Sequence, residues 1–259
     1  LSSRPPETVR AVSFDLGGTL IEAEPGVGEV YARVCRGRGI TLDPAACGRA
    51  FDEAWERLGA GIPEGRDRFS AFPGGEEAWW RRVVGDVLET CGVPPEAAPP
   101  AEAFRDAFAD RSAWRLLDGA AGVLDGLRRA GYRLALVSNW DSRMPRLLET
   151  LGLAGRFDAV VCSALAGREK PDPEIFLRAA RALDLPPAAV LHVGDRIRED
   201  YQGARGAGMR ALWLDRSGGG TAPAAGVEEV DRVRSLAEAA ERVRGDGRGA
   251  PCAPGGGGP

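Results

Sequence analysis

The sequence predicts an α/β fold: a doubly wound parallel sheet interrupted by one all-helical insert. Three observations predict it. Five short apolar runs, Val9–Asp15, Arg133–Ser138, Phe157–Cys162, Val190–Asp195 and Met209–Asp215, are too short for helices and mostly too continuous for half-exposed strands. Apolar stripes at helical spacing alternate with those runs. About 90 residues separate the first two runs, far more than a βα crossover needs, and they hold helical stripes without a convincing strand.

Taken in order, Val9–Asp15 is the first strand. The insert then shows four stripes: Val27, Val30, Tyr31, Val34; Phe51, Ala54, Trp55, Leu58; Trp80, Val83, Val84, Val87, Leu88, Cys91; and Phe104, Ala107, Phe108. Aromatic residues at this spacing are expected to form the insert's core rather than a ligand box. After the insert, Val123, Leu124 and Leu127 form a helix stopped at Gly131, and Leu147, Leu148 and Leu151 one stopped at Gly152. Ile175, Phe176, Ala179 and Leu183 form a third, and Tyr201, Ala204 and Ala207 a fourth, stopped at Gly208. Beyond Asp215 a Gly- and Pro-containing linker leads to a last helix over about 230–243. The expected domains are a core of residues 1–21 and 115–244, a helical cap of 22–114, and a disordered Gly/Pro-rich tail of 245–259.

Composition narrows the function. A net charge of −4 with dispersed basic residues argues against nucleic-acid binding. No apolar run approaches the ~18 residues of a membrane span, and the start is polar, so a cytoplasmic location is expected. Five cysteines without a CxxC pair predict buried free thiols rather than disulfides or zinc. The single histidine, His192, lies in an apolar run, a poor basis for a Ser-His-Asp or Cys-His enzyme. Lys170 is the only lysine among 34 basic residues, which marks a place needing a compact, mobile charge.

Ligands bind an open parallel sheet at the carboxyl ends of its strands. There the sequence places Asp15, then Ser138-Asn139, then a loop with Lys170-Pro171, then Gly194-Asp195 with Asp200 five residues on. A carboxylate can act as a covalent nucleophile. Two carboxylates and a backbone carbonyl suit Mg²⁺. A hydroxyl, amides and an ammonium neutralise charge on a transferred group. Any one of these residues alone would pass as a helix cap or turn former; four strand ends carrying them together point to a site.

The segments Phe14-Asp15-Leu16-Gly17-Gly18-Thr19-Leu20, Val137-Ser138-Asn139, Lys170-Pro171-Asp172-Pro173 and Gly194-Asp195 with Asp200 resemble the four motifs of the haloacid dehalogenase superfamily. The likeness covers about residues 9–215, and the helical insert is similar to that superfamily's C1-type cap. Ala78–Trp80, Ser138–Arg143 and His192–Ala204 look closest to its rhythmically-expressed-gene-2-like group. The resemblance implies a Rossmann-like core and a Mg²⁺-dependent hydrolase acting on a small phosphorylated metabolite, as a monomer or homodimer. It implies Asp15 as nucleophile, with Ser138 and Lys170 as catalytic partners. Thr19, Ser138, Asn139 and Lys170 would bind phosphate. Asp15, the Gly17 carbonyl, Asp195 and Asp200 would serve the metal.

The match fails at one position. The superfamily's phosphatases carry a second Asp two residues after the nucleophile, and here that residue is Gly17. General acid–base help is worth ~10²–10⁴-fold. Arg196 also stands where a small hydroxyl residue often follows Asp195. Four readings follow: a phosphatase preferring good leaving groups such as aryl or acyl phosphates, with Glu22 or Glu24 as substitute acids; a dehalogenase, opposed by the magnesium-type fourth motif; a phosphonate-cleaving enzyme, discarded because the cap has no lysine; and a weakly catalytic domain that binds a phospho-ligand or protein. Arg66, Arg68, Arg81 and Arg82 of the cap are expected on a solvated face rather than against an anionic substrate.

Overall fold

A computed structural model describes residues 8–216, 228 and 231–246. Strand β1 (Ala11–Phe14) is followed by a short β2 (Ile21–Ala23) and five helices: α1 (Val27–Arg36), α2 (Pro44–Gly59), α3 (Arg68–Ala71), α4 (Gly75–Thr90) and α5 (Ala101–Ala109). The chain returns through β3 (Trp114–Leu116), α6 (Ala120–Arg129), β4 (Arg133–Ser138), α7 (Met144–Thr150), β5 (Ala159–Cys162), α8 (Ser163–Ala166) and α9 (Pro173–Ala182). It continues with β6 (Val190–Gly194), a π-helical turn over Ile197–Gln202, α10 (Gly203–Gly206), β7 (Arg210–Leu214), β8 (Arg232–Val233) and α11 (Leu236–Asp246).

Six parallel strands form the main sheet in the order β5-β4-β1-β6-β7-β8. The chain winds outward from β1 through β4 to β5, then recrosses to β6 on the other side. The winding therefore reverses at β1, and the crevice beyond β1, β4 and β6 is where such a sheet takes a ligand. Alternating side chains divide the core. Phe14, Leu136 and Val193 pack on one face with α6, α7 and α11. Ala11, Val137 and Val161 pack on the other with α9 and α10. These strands read as unbroken apolar runs because both of their faces are covered.

The helical insert has its own core around Tyr31, Cys47, Phe69, Trp79, Val83, Val87 and Phe104. In α4 the fully buried indole is Trp79; Trp80 is only half-buried. Asp43 starts α2 by accepting from Ala45 N–H (3.1 Å) and Ala46 N–H (3.2 Å), with Pro44 at the first helical position. Asp172 does the same for α9, accepting from Glu174 N–H at 2.8 Å. Asp172 is thus a cap.

Two expectations need correcting. The stretch between the first two runs is not without strands: β2 and β3 pair antiparallel, Glu22 opposite Arg115, in a ribbon at the insert's root. Strands of three residues leave no periodicity to read. The last segment is not helical throughout 230–243: Arg232–Val233 extends the sheet before α11 begins at Leu236, and α11 continues to Asp246, into the stretch expected to be tail. Residues 217–227 of the linker and 247–259 of the tail lie outside the described residues. No described helix is long and apolar enough to cross a membrane.

Candidate active site

Asp15 is the first residue past β1, and its amide donates to the Val193 carbonyl at 3.0 Å, which fixes it beyond the sheet edge. Its Oδ1 accepts from Ser138 Oγ (2.9 Å), at the end of β4, and from Lys170 Nζ (2.5 Å). Lys170 also donates to Asp200 Oδ1 at 2.5 Å. All four side chains are at least nine-tenths buried. Burial alone would lower the Lys170 pKa, but the two carboxylates overcome it and hold the ammonium charged. Burial raises the Asp15 carboxyl, with Lys170 opposing and Asp200 adding to the rise.

Asn139 sets the lysine's backbone. Its Oδ1 accepts from Lys170 N–H (2.7 Å) and its Nδ2 donates to the Lys170 carbonyl (3.0 Å). The loop after β4 and the loop before α9 are thereby clamped together.

Asp195 follows β6. Burial pushes its carboxyl up to about 6, and the charges of Asp15 and Asp200 add to that. Thr19 is buried and spends its hydroxyl hydrogen on Asp195 Oδ1 at 3.1 Å. The phosphate role expected of Thr19 would need this hydroxyl to turn, as the same role would for Ser138, whose hydrogen goes to Asp15 Oδ1. Asp200 is held below the ordinary range although burial opposes it, because Lys170 and His192 face it. Its Oδ2 accepts from Arg196 N–H at 2.9 Å, inside the π-helical turn. Two glycines make room for these acids. A Cβ on Gly18 (φ 77°) would sit 2.4 Å from an Asp195 carboxylate oxygen, and one on Gly194 would sit 2.2 Å from the Asp200 carboxylate carbon.

Oxygen atoms of Asp15, Asp195 and Asp200 lie within 4.8 Å of one another. Lys170 compensates Asp15 and Asp200, whereas no described cation pairs with Asp195. Three close carboxylates, two buried and the half-buried third uncompensated, fit a small, hard divalent cation.

His192 lies opposite Ser13 in the β1–β6 register. Ser13 Oγ and His192 Nδ1 are 2.9 Å apart, and His192 Nε2 is 3.3 Å from Asp200 Oδ1. This order mimics a Ser-His-Asp relay, but Ser13 and His192 are wholly buried, so no substrate reaches the hydroxyl. Burial holds the imidazole neutral. Nε2–H then donates to Asp200 and Nδ1 accepts from Ser13, so the row orients an acid. Sequence reading did not find this row, because Ser13 and His192 meet only through strand register.

Above the acids lies a cavity of about 600 Å³ between the core and the insert. Trp140 covers Gly17: a Cβ there would stand 3.1 Å from the indole Cζ3. The Trp140 backbone is fixed, its N–H donating to Ser163 Oγ (3.1 Å) and its carbonyl accepting from Cys162 Sγ (3.0 Å). Glu22 and Glu24, the expected substitute acids, both pair with Arg115. Arg81 and Arg82 are solvated and paired with Glu77 and Asp86, as expected. Arg68 departs from that reading. It lines the cavity, stacks on Trp55 at 4.7 Å and forks onto Glu169 (2.8 and 3.0 Å). Trp140, Arg105 and Arg143 also line the cavity and were not picked out as site residues from the sequence.

An aspartate at the strand end of the winding reversal, two further acids beside it and a helical insert above define the class: an α/β fold with an acidic site under an inserted helical unit. Residues 9–208 match the family haloacid dehalogenase-like hydrolase, and the chain belongs to that family. It is 35% identical over 209 residues to haloacid dehalogenase-like hydrolase domain-containing protein 3 of Bos taurus, covering 79% of this chain and 81% of that one. It is 36% identical over 217 residues to a phosphoserine phosphatase of Thermus thermophilus, covering 80% and 82%. Among solved structures, the HAD-hydrolase YfnB from Bacillus subtilis, bound to magnesium, superposes with a TM-score of 0.73 at 18% identity, covering 92% of this chain and 99% of that one; this likeness concerns the fold.

Proposed function

We propose that this protein is a cytoplasmic, Mg²⁺-dependent phosphohydrolase that opens small phosphomonoesters through an aspartyl-phosphate on Asp15. The observation that carries the reading is the grip of Ser138 and Lys170 on one oxygen of Asp15, at the floor of the cavity and beside two further acids. With Oδ1 so held, Oδ2 would be the oxygen offered to substrate. Ser138 and Lys170 would supply a hydroxyl and an ammonium to the phosphoryl oxygens, whose charge changes on transfer. Asn139 keeps Lys170 in place. Asp15 and Asp195 would hold Mg²⁺, joined by the Gly17 carbonyl, with Asp200 in support. Bound there, the cation supplies charge neutralisation for the phosphoryl group. A phosphatase among the relatives supports the same chemistry.

The experiment is Mg²⁺-dependent phosphate release beside Asp15→Asn. Release by the wild type and loss of at least ~10³-fold in the variant are expected; equal rates overturn the reading. A second reading is favoured by Gly17 and its indole cover: a domain that binds a phospho-ligand without turning it over. Mg²⁺-dependent binding with no release would select it.

A further inference from the structure

The cavity says what kind of molecule leaves. At the position where a proton donor to the leaving oxygen would stand, Gly17 has no side chain, and the Trp140 ring leaves a Cβ only 3.1 Å of clearance. The two nearby acids on β2 and its end are held by Arg115. A leaving oxygen here is met by the edge of an indole ring. Farther out, aromatic rings share the wall with Arg68, Arg105 and Arg143. Trp114 lies 5.1 Å from Trp140, and Trp55, Phe69, Trp80 and Phe108 continue the lining onto the insert. Five of these six rings are only half-buried, whereas the insert's central indole, Trp79, is wholly enclosed. Trp55 is stacked on by Phe51 and Arg68, and Trp80 by Phe69 and Arg143, so Trp140, Trp114 and Phe108 are the lining rings without a stacked partner among the described residues. About 600 Å³ holds a phosphoryl group and an aromatic body together. Flat rings are what an aromatic wall recognises.

Resting on the phosphohydrolase reading above, we propose that the substrate is an aryl phosphate monoester whose ring stacks on Trp140 and the aromatic wall. The Asp15 oxygen bonds to phosphorus as the phosphorus–oxygen bond to the ring breaks. The phenolate departs with that electron pair and takes its proton from solvent. Water then bonds to phosphorus, the bond to Asp15 breaks, and phosphate and the Asp15 carboxylate are released, with the water's proton passing to solvent. A phenolate leaves without a proton far more readily than an alkoxide, so this substrate class suits a site with no donor at position 17.

The test uses the full chain with Mg²⁺ and three substrate kinds: substituted phenyl phosphates including 4-nitrophenyl phosphate, acetyl phosphate, and glycerol phosphate. We expect kcat/KM for 4-nitrophenyl phosphate to exceed that for acetyl phosphate at least ~10-fold, with glycerol phosphate lowest. Across the phenols, kcat should fall steeply as leaving-group basicity rises. Trp140→Leu and, separately, Phe108→Leu should each lower the aryl-to-acetyl ratio about 10-fold, the scale of one lost ring contact with its buried area. Acetyl phosphate turned over well, with aryl phosphates no better, overturns this inference and leaves the phosphohydrolase reading standing. A flat dependence on the phenol also overturns it, because another group, such as Glu199 on the cavity wall, would then be protonating the leaving oxygen. Release from none of the substrates overturns both. Unchanged ratios in two folded variants, checked by thermal melting, sink the stacking role.

Discussion

Gly17 and Trp140 form one unit at the residue scale. Restoring a carboxyl at position 17 brings a Cβ to 3.1 Å from the indole, so the ring must shift before the new acid can reach a leaving oxygen. Gly17→Asp alone should therefore gain little activity on glycerol phosphate. Gly17→Asp with Trp140→Ala should gain about 10²-fold over Trp140→Ala, measured as kcat/KM; equal gains with and without the indole would refute the obstruction. Asp195 supports a second prediction. Its carboxyl is raised from 3.8 to about 6 by burial and two neighbouring acids, so the folded state holds its proton more tightly than the unfolded state. The cost of ionising it is absent below pH ~4, grows through pH 4–6 and is complete above. Without divalent cation, Asp195→Asn should stabilise the protein by about 2 kcal/mol at pH 8 and by little at pH 4, in urea unfolding. The same variant should abolish stabilisation by Mg²⁺. Destabilisation at pH 8 would count against the crowding of the three acids. Asp15, Ser138 and Asp195 were legible in the sequence because strand ends advertise their residues, Lys170 because it is the only lysine, and Asp200 by its spacing from Asp195. Trp140 was not, because its role depends on the absence of a side chain at Gly17, a contact between residues far apart in sequence.

At the scale of elements, the five apolar runs were readable because burial on both faces leaves few polar interruptions. The ribbon of β2 and β3 was hidden: Ile21-Glu22-Ala23 and Trp114-Arg115-Leu116 are too short to show a period, and Glu22 and Arg115 mark their pairing only once the chain has returned. The π-helical turn was legible only as a helix, since Tyr201, Ala204 and Ala207 keep a helical stripe beyond it. What the turn adds is the aim of Asp200, through Arg196 N–H on Oδ2. The joint between loops is as consequential as the elements. Asn139 makes two bonds to the backbone of Lys170, and this clamp, rather than only the expected contact of its backbone with phosphate, is what its side chain does. Asn139→Asp keeps the acceptor and loses the donor; Asn139→Ala loses both. We expect kcat to fall in that order, reaching roughly 10–100-fold in the alanine variant, while KM changes less. A fall in KM-linked binding alone, with kcat intact, would show that the clamp does not position the lysine.

Over the whole molecule, the insert meets the core through a few polar straps around a cavity lined by aromatic and charged residues. Arg68 of α3 forks onto Glu169, the residue before Lys170, and its backbone N–H donates to the same carboxylate at 3.2 Å. Glu76, in the first turn of α4, accepts from Ser142 N–H (2.9 Å) and Ser142 Oγ (3.0 Å). Arg143 reaches the Arg105 carbonyl at 2.6 Å and stacks on Trp80. Arg198–Glu64 also spans the two parts, but its side chains are 64% and 76% exposed, where such pairs contribute ~0–1 kcal/mol. The Arg68 fork is different: both side chains are about 15% exposed and the geometry is bidentate, so water competes poorly. It also adjoins the lysine that grips Asp15, so loosening the insert and disturbing the site share one joint. Arg68→Met keeps the apolar stem on Trp55 and removes the fork. Its KM should rise about 10-fold, and small-angle scattering should show a larger radius of gyration than the wild type. Arg198→Ala, which removes the exposed pair, should change neither quantity. If Arg68→Met raises KM without expanding the molecule, Arg68 acts on the bound substrate and the strap is not what holds the insert closed.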